Sequence, residues 1–180
     1  MKKVYIGLFA GLLTLSMSVS AQGKKYQDHA DSVNALKNII GNSNTITSSA
    51  VGFAGSPSNT WYAFAYLTGI ATEKELLEMT KDKNPVLRLY AYTALMHKNY
   101  KHIDRVKRQL SKDNTEVKTL SGCIMGNTTV AKATEDPGHW YYAGAIEEFQ
   151  KAIKKDKKYK KELYTNLINN KPVKRFPYEG

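Results

Sequence analysis

A turn followed by a helix recurs three times along the middle of the chain, and this recurrence constrains the fold more than any other feature. At shifts of 28 and 30 residues, the aligned positions pair Pro57 with Pro85, Ala63 with Ala91 and Ser121, and Leu67 with Leu95 and Met125. Small side chains recur where the helices of a hairpin approach closely, and larger ones where neighbouring repeats pack. Three such units are about the minimum for a stable stack. The recurrence predicts an all-α fold, an α-solenoid-like stack of about three helical hairpins over residues 57–127.

Helix-start signals support the same arrangement. Thr72 and Glu75 have the spacing of a capping box, and Asn84 with Pro85 is typical of an N-cap followed by the first helical residue. The predicted helices are residues 28–40, 61–70, 72–83, 86–98, 100–112 and 114–125. Residues 42–58 are rich in Asn, Ser, Thr and Gly and show no helical period, so we predict a long polar loop there.

The stretch from Glu75 to Leu95 resembles a short HEAT-type repeat. The pattern of that family is an amphipathic helix, a turn of Asp, Asn or Pro, and a second helix whose matching residues here are Val86, Arg88, Ala91, Ala94 and Leu95. Over about residues 46–132 the chain is also similar to secreted HEAT-like repeat proteins of Bacteroidota that have no assigned chemistry. That wider match rests on the leader, this repeat, Val51–Gly55 and Ser121–Gly126. The resemblance implies a helical-repeat fold and says almost nothing about function.

The third repeat departs from the family pattern. Thr115 stands where the proline would be, and Gly122 and Gly126 lie inside or at the end of its second helix. We therefore expect the stack to become irregular or to end there. Arg88 and Lys118 nevertheless share one repeat position. Their spacing predicts that each reaches back to an acidic residue at its turn, Asp82 for the first and Asp113 for the second.

The first 21 residues have the composition of a signal peptide. Two lysines precede an apolar stretch from Val4 to Val19, and small residues precede a cleavage point after Ala21. Gly, Ser and Thr interrupt the stretch, which is shorter than the ~20 apolar residues of a membrane span. We expect an exported protein, periplasmic or secreted, with no membrane span in the mature chain. Residues 22–170 are predicted to form a single helical-repeat domain, and residues 171–180 a C-terminal tail.

The sequence contains no motif for catalysis, cofactor binding or metal binding. His97 and His102 are five residues apart, which does not place two metal ligands on one helix face. No HExxH, CxxC, P-loop or GxSxG pattern occurs. The lone Cys123 lies beside apolar residues, which favours a buried and unreactive thiol; the alternative is a thiol available for an intermolecular disulfide. We expect no catalytic residues, no cofactor and no metal, and a protein that is not an enzyme.

The positive charge of the chain is concentrated near its C-terminus. The net charge is +11, and residues 151–180 contain nine Lys and one Arg against three acidic residues. These lysines lie in a predicted basic C-terminal helix, and residues 138–169 are compatible with one helix or two. The candidate anion-binding residues are Lys154, Lys155, Lys157 and Lys158. The competing interpretation is a solvated helix surface, and export disfavours nucleic acid as a ligand.

Aromatic residues are the candidate surface for a protein partner. Trp61, Tyr62, Tyr66, Tyr90 and Tyr92 lie on several faces of two predicted helices, and exposed aromatic side chains commonly mark binding surfaces. The alternative is that the long loop and the C-terminal helix pack over them. We hypothesise a non-enzymatic exported protein-binding module whose partner is another envelope or secreted protein. The alternative function is the binding of a polyanion or surface glycan through the C-terminal lysines.

Overall fold

The computed structural model describes residues 28–137 and 143–176, so the predicted signal peptide lies outside the described residues. The described residues form eight α-helices and four β-strands: α1 (residues 28–43), β1 (Thr45–Val51), β2 (Ser56–Pro57), α2 (Asn59–Ile70), α3 (Glu73–Met79), α4 (Pro85–His97), α5 (Ile103–Leu110), β3 (Glu116–Gly122), β4 (Ile124–Thr129), α6 (Val130–Glu135), α7 (Ala143–Lys155) and α8 (Lys157–Ile168). Across these residues, no helix has the length and apolar character to cross a membrane.

Helix α1 crosses a boundary between two units of the chain, which divide between Asn34 and Ala35. In the first unit, the Ser32 hydroxyl donates a hydrogen bond to the backbone carbonyl of Asp28 at 2.9 Å, within α1. The second unit contains the sheet and the other seven helices of the described residues.

The four strands form one mixed sheet in the order β2-β1-β3-β4. β1 pairs antiparallel with β2 and parallel with β3, with Thr45 opposite Lys118. β3 pairs antiparallel with β4 in a hairpin, with Glu116 opposite Thr129 and Ser121 opposite Ile124. Helices α2 to α5 lie between β2 and β3 in the chain and supply the crossover that a parallel pair requires.

The predicted all-α solenoid is therefore wrong. Residues 42–58, predicted as a long polar loop, contain β1 and β2, and most of the predicted helix 114–125, from residue 116 onward, belongs to the β3–β4 hairpin. Val117 is buried while its two neighbours are exposed, and this period of two is that of a strand. Gly122 turns the hairpin with a φ of +55°, a conformation that glycine adopts without steric cost. The second helix of the third predicted helical hairpin is thus replaced by a β-hairpin, while its first helix is present as α5.

The helices predicted before this hairpin are present, and their caps form as the sequence suggests. The Thr72 hydroxyl accepts from the Glu75 N–H at 3.3 Å, and the Glu75 carboxylate accepts from the Thr72 N–H at 2.8 Å. The Asn84 side chain accepts from the Val86 N–H at 2.9 Å, with Pro85 as the first residue of α4. These local signals identify the start of each helix because both partners are close in sequence.

The C-terminal region contains two helices, and its tail joins the core. Asp156 lies between α7 and α8. Its carboxylate accepts a hydrogen bond from the Tyr159 N–H at 2.8 Å, which makes Asp156 the N-cap of α8. Val173 and Phe176, in the segment predicted as a tail, are buried. Helix α6 lies in residues 128–136, which the sequence pattern did not identify as helical.

Helix α2 lies at the centre of this unit. Nine consecutive residues from Thr60 to Thr68 are buried, because the helix contacts β1, α4 and α7. A helix that is apolar on every face has no side to offer to solvent and belongs in a core. The helical layer therefore encloses most of the large aromatic side chains, while the far end of the sheet remains open to solvent.

Candidate functional site

The five aromatic residues predicted to bind a partner lie in the interior. Trp61, Tyr62, Tyr66, Tyr90 and Tyr92 are each at most 7% exposed. The C-terminal helices and the tail pack over α2, as the alternative interpretation of these residues expected. Such buried side chains have no exposed face to offer to a partner.

Four large rings form one cluster around α2, here called the aromatic cluster: Trp61, Tyr62, Phe149 and Phe176. The ring centroids of Trp61 and Tyr62 lie 5.2 Å apart, those of Tyr62 and Phe149 5.6 Å, and those of Phe149 and Phe176 5.8 Å. All three pairs meet edge to face, a favourable geometry for aromatic rings. The Tyr62 hydroxyl also accepts from the Phe176 N–H at 3.1 Å. The cluster thus fastens the C-terminal tail to α2.

Tyr90 fastens the helical layer to the sheet. Its hydroxyl accepts from the Thr47 N–H of β1 at 2.9 Å, and its ring stacks on Phe64 with centroids 4.4 Å apart. Burial raises the pKa of Tyr90 to about 12, although the hydrogen bonds with Thr47 act in the opposite direction. The phenol is therefore a neutral structural group at physiological pH.

The four candidate anion-binding lysines are exposed where α7 meets α8. Lys154 and Lys155 end α7, and Lys157 and Lys158 begin α8, with the N-cap residue Asp156 between them. The break between the helices concentrates four ammonium groups in a short stretch of surface. A diffuse field of this kind attracts anions without selecting one chemical species.

Among residues 28–137 and 143–176, no group of three or more His, Cys, Asp or Glu side chains is placed to hold a metal ion. His97 ends α4 and lines a groove with Glu147 of α7. Burial lowers the pKa of His97, while Glu147 acts to raise it. His102 packs edge-on against Tyr100 with centroids 5.9 Å apart, and His139 lies outside the described residues.

Exposed apolar side chains are concentrated at one end of the sheet. Among the described residues four large apolar side chains are exposed, and three of them are Phe53 in the β1–β2 turn and Ile124 and Met125 at the start of β4. Phe53 is completely exposed, and the other two are more than 75% exposed. The fourth, Ile168, is on α8. We call Phe53, Cys123, Ile124 and Met125 the apolar tip.

Backbone hydrogen bonds bring the two turns of the apolar tip together. The Gly52 N–H donates to the Gly122 carbonyl at 2.8 Å, and the Gly122 N–H donates to the Ser48 hydroxyl at 3.1 Å. Gly52 and Gly122 have φ values of +74° and +55°. Among the described residues, apart from each glycine's two chain neighbours, no atom lies within 4 Å of where a Cβ would stand on Gly52 or Gly122, so conformation rather than space favours glycine there. The turn that carries Phe53 and the turn that carries Cys123 are neighbours.

Strand β4 forms an open edge beside the apolar tip. It is hydrogen-bonded to β3, and no strand of the described residues pairs with its other side. Residues 124–127 are exposed, and the strand sequence Ile-Met-Gly-Asn-Thr-Thr contains neither a charged residue nor proline. Proteins commonly protect edge strands with charges, proline or a covering element. An edge without these features is suited to accept a strand from another chain.

The prediction that Cys123 is buried is wrong, because the residue is exposed. It follows Gly122 at the turn of the hairpin, and its apolar neighbours Ile124 and Met125 are exposed with it. Apolar neighbours indicate burial on a helix or central strand, whereas at a hairpin turn they project away from the core. The chain's one thiol therefore stands on the apolar tip.

Arg88 secures the segment that leads into β3. Its guanidinium lies 2.6 Å from the Asp113 carboxylate and donates to the backbone carbonyl of Asp82 at 2.8 Å. The sequence predicted the Asp82 carboxylate as its partner, but the chain after α5 brings Asp113 to Arg88 instead. Lys118 is exposed on β3, because the helix on which the predicted Lys118–Asp113 pair depended is a strand.

The apolar tip left only a weak signal in the sequence. Phe53 lies between Gly52 and Gly55 in a stretch without helical or alternating apolar pattern. A large apolar residue in such a turn has no element of its own to pack against, and this signal is enough to suggest exposure.

Comparison of the chain with family models, curated proteins and solved structures gives no match. The interpretation of this surface rests on its geometry.

Proposed function

We propose that the protein is a non-enzymatic, exported protein-binding module that binds its partner through the apolar tip and the open edge of β4. The observation that carries this proposal is that three of the four exposed large apolar side chains, among the described residues, lie at one end of the sheet, two of them on the uncharged edge strand β4. Single exposed apolar residues are ordinary, whereas contiguous ones mark interaction surfaces. The proposed partner is another envelope or secreted protein.

This surface offers two kinds of interaction to such a partner. The outer backbone groups of β4 can pair with an extended segment, as in β-strand addition. Phe53, Ile124 and Met125 then bury apolar side chains of the same segment, at about 1.5–3 kcal/mol for each side chain that becomes fully buried. Backbone pairing contributes affinity, and the tip selects apolar segments over polar ones.

The test compares matched variants in binding. Immobilised wild-type protein is incubated with an envelope extract of the producing cells, and the retained protein is then purified and titrated by calorimetry. The triple variant Phe53→Ser, Ile124→Thr, Met125→Thr is expected to bind that protein at least about a hundredfold more weakly. The control Ile168→Thr removes the exposed apolar side chain of α8 and should leave the affinity unchanged.

A second variant separates the strand edge from the apolar tip. Asn127→Lys places a charge on β4 and leaves Phe53, Ile124 and Met125 in place, so it should oppose strand addition alone. We expect about a tenfold loss of affinity, close to the net value of one or two hydrogen bonds. Equal binding by wild type and the triple variant, or no partner above background, contradicts the proposal.

A second candidate function is the binding of a polyanion or surface glycan at the α7–α8 junction. The observation that favours it is the exposure of Lys154, Lys155, Lys157 and Lys158 on both sides of one helix break. Retention on immobilised heparin should fall steeply with salt, and replacement of the four lysines by Gln should move elution to a much lower salt concentration. Unchanged elution of that variant contradicts this function.

A further inference from the structure

A cavity of about 320 Å³ lies between the sheet and α6. Ile46 of β1, Leu120 of β3 and Ala133 of α6 contribute its apolar wall, and both Ile46 and Ala133 are buried. The volume is at the small end of the roughly 300–1,000 Å³ that is typical of ligand pockets. The cavity therefore suits a small molecule with an aliphatic part rather than a segment of polymer.

Three hydroxyl groups line the same cavity, from Thr119, Ser121 and Thr128. Within residues 28–137 and 143–176, none of these hydroxyls takes part in a hydrogen bond. Gly126, opposite Thr119 on β4, keeps room for one of them, because a Cβ at this position would lie 3.1 Å from the Thr119 hydroxyl oxygen. Each of the three hydroxyls can therefore donate a hydrogen bond to a ligand.

Lys132 is the one lysine or arginine among the described residues that line the cavity. Its backbone N–H donates at 3.3 Å to the Thr129 hydroxyl, the N-cap of α6, which fixes the residue in the first turn of that helix. In the described part of the chain, the Lys132 ammonium forms no ion pair. The other charged residue of the lining, Asp136, takes part in an interaction within the protein, so only Lys132 is assigned to a ligand.

From this combination we propose that the cavity binds a small aliphatic monocarboxylate, with the chemistry of a short-chain or medium-chain fatty acid. An ionised carboxylate only accepts hydrogen bonds, at about four lone-pair sites, and therefore matches an ammonium and three hydroxyls that can all donate. The Lys132 ammonium pairs with the carboxylate, and a charge-assisted bond of this kind is roughly twice as strong as a neutral one. The aliphatic chain lies against the apolar wall. One cation matches one negative charge, which favours a monocarboxylate over a dicarboxylate or a phosphate.

The carboxylate site is separate from the surface proposed to bind a protein partner. Phe53, Ile124 and Met125 of the apolar tip do not line the cavity. Carboxylate binding can therefore be measured with this protein alone, and either proposal can fail without the other.

The test titrates the full chain with octanoate and three analogues. Octanamide has the same chain without a charge, acetate has the charge without the chain, and suberate carries a second carboxylate at the far end of the chain. Binding is followed through the NMR signals of the Ile46, Leu120 and Ala133 methyl groups, which report on the cavity itself.

Octanoate is expected to bind at least about tenfold more tightly than octanamide, since the amide loses the charged pair. Acetate should bind at least about a hundredfold more weakly than octanoate, because it has no chain to bury. Suberate should bind about tenfold more weakly, because its second carboxylate would lose water against an apolar wall. A general attraction of anions to a chain of net charge +11 would instead favour suberate, which carries two charges.

Variants assign the polar groups of the site. Lys132→Met should weaken octanoate binding about tenfold and leave octanamide binding unchanged. The double variant Thr119→Val, Thr128→Val removes two hydroxyls, keeps the β-branched shape that suits a strand, and should weaken octanoate binding about fivefold to tenfold. Lys132 is exposed, so the fold should tolerate its replacement. Lys118→Met is the matched control, because this exposed lysine of β3 does not line the cavity.

Three results would overturn the assignment. The first is binding of octanamide, acetate or suberate as tight as that of octanoate. The second is an effect of Lys118→Met on octanoate binding as large as that of Lys132→Met. The third is the absence of any shift of the cavity methyl signals at millimolar octanoate.

Discussion

The aromatic cluster and the apolar tip are both made of large apolar side chains, yet one is enclosed and the other is displayed. The rings of the cluster come from α2, α7 and the C-terminal tail, which close on one another, and Phe149 and Phe176 are almost fully buried. The tip comes from two turns at the end of a sheet, and Phe53 is completely exposed. Apolar composition alone does not identify a binding surface, because the element that carries the residue decides whether anything packs on it.

The largest expected difference between these regions is in folding stability. Phe176→Ala leaves a cavity against three other rings and should lower the free energy of unfolding by about 3–5 kcal/mol. Phe53→Ala removes a ring that contacts solvent and should change it by less than about 0.5 kcal/mol. Urea unfolding followed by circular dichroism measures both values. Each 1 kcal/mol corresponds to roughly 2–4 °C in the melting temperature of a domain of this size.

Phe176→Leu is the matched variant for the enclosed region, since it keeps an apolar side chain and should cost less than Phe176→Ala. Comparable losses of unfolding free energy for Phe53→Ala and Phe176→Ala would contradict this difference, because they would mean that the apolar tip is packed as tightly as the aromatic cluster. A large loss for Phe53→Ala alone would place the stabilising contacts at the tip.

The helices could be predicted from the sequence because their signals are local. Thr72 with Glu75 and Asn84 with Pro85 are within three residues of each other, and each pair forms the expected cap. The sheet could not be predicted in the same way, because β1 and β3 are joined by hydrogen bonds between residues about 70 positions apart. A hairpin such as β3–β4 is local, but the repeat alignment places Val117 and Ser121 on a helix, and the apolar residues Val117 and Leu120 are three apart, which is also a helical spacing.

The candidate sites show the same limit. The aromatic residues of α2 were open to two interpretations in the sequence, since burial depends on α7 and the C-terminal tail, whose packing has no local signature. A cavity beside α6 is lined by residues of β1, β3, β4 and α6, which only the tertiary structure brings together. Only the exposed lysines at 154–158 could be placed on the surface from composition, because charged side chains are rarely buried without a partner.

A smaller effect is expected at Tyr90, which joins the helical layer to β1 of the sheet. Tyr90→Phe removes the hydroxyl that accepts from the Thr47 N–H, and leaves that buried backbone donor without its partner. The loss should be about 1–3 kcal/mol, measured by urea unfolding. Amide exchange at Thr47 should also become faster, because local opening of β1 becomes easier. The helical layer and its aromatic cluster should keep their own protection from exchange.

Tyr100→Phe is the control for this change, since no hydrogen bond of the Tyr100 hydroxyl occurs within the described residues. It should alter stability by less than about 0.5 kcal/mol. If Tyr90→Phe also left the free energy of unfolding unchanged, the hydrogen bond between Tyr90 and β1 would not be what joins the sheet to the helical layer.

The smallest expected effect concerns the Arg88–Asp113 pair, which holds the segment before β3 to α4. Burial acts to raise the pKa of Asp113, but the hydrogen bonds from Thr115 and Arg88 outweigh it, so the pKa lies below its ordinary value of 3.8. The unfolded chain therefore binds this proton more readily than the folded protein does. The carboxylate stabilises the fold above pH 3.8 and loses that contribution as the pH falls through its folded pKa.

Asp113→Asn should accordingly lower the free energy of unfolding at neutral pH, and its difference from wild type should narrow as the pH falls below 3.8. The comparison between two chains at each pH removes the general effect of acid on a basic protein. A double-mutant cycle with Arg88→Gln isolates the pair, because Arg88 also bonds the carbonyl of Asp82. The coupling energy should be favourable at pH 7 and smaller in acid. A coupling that is independent of pH would mean that the carboxylate of Asp113 is not what secures this end of the sheet to the helical layer.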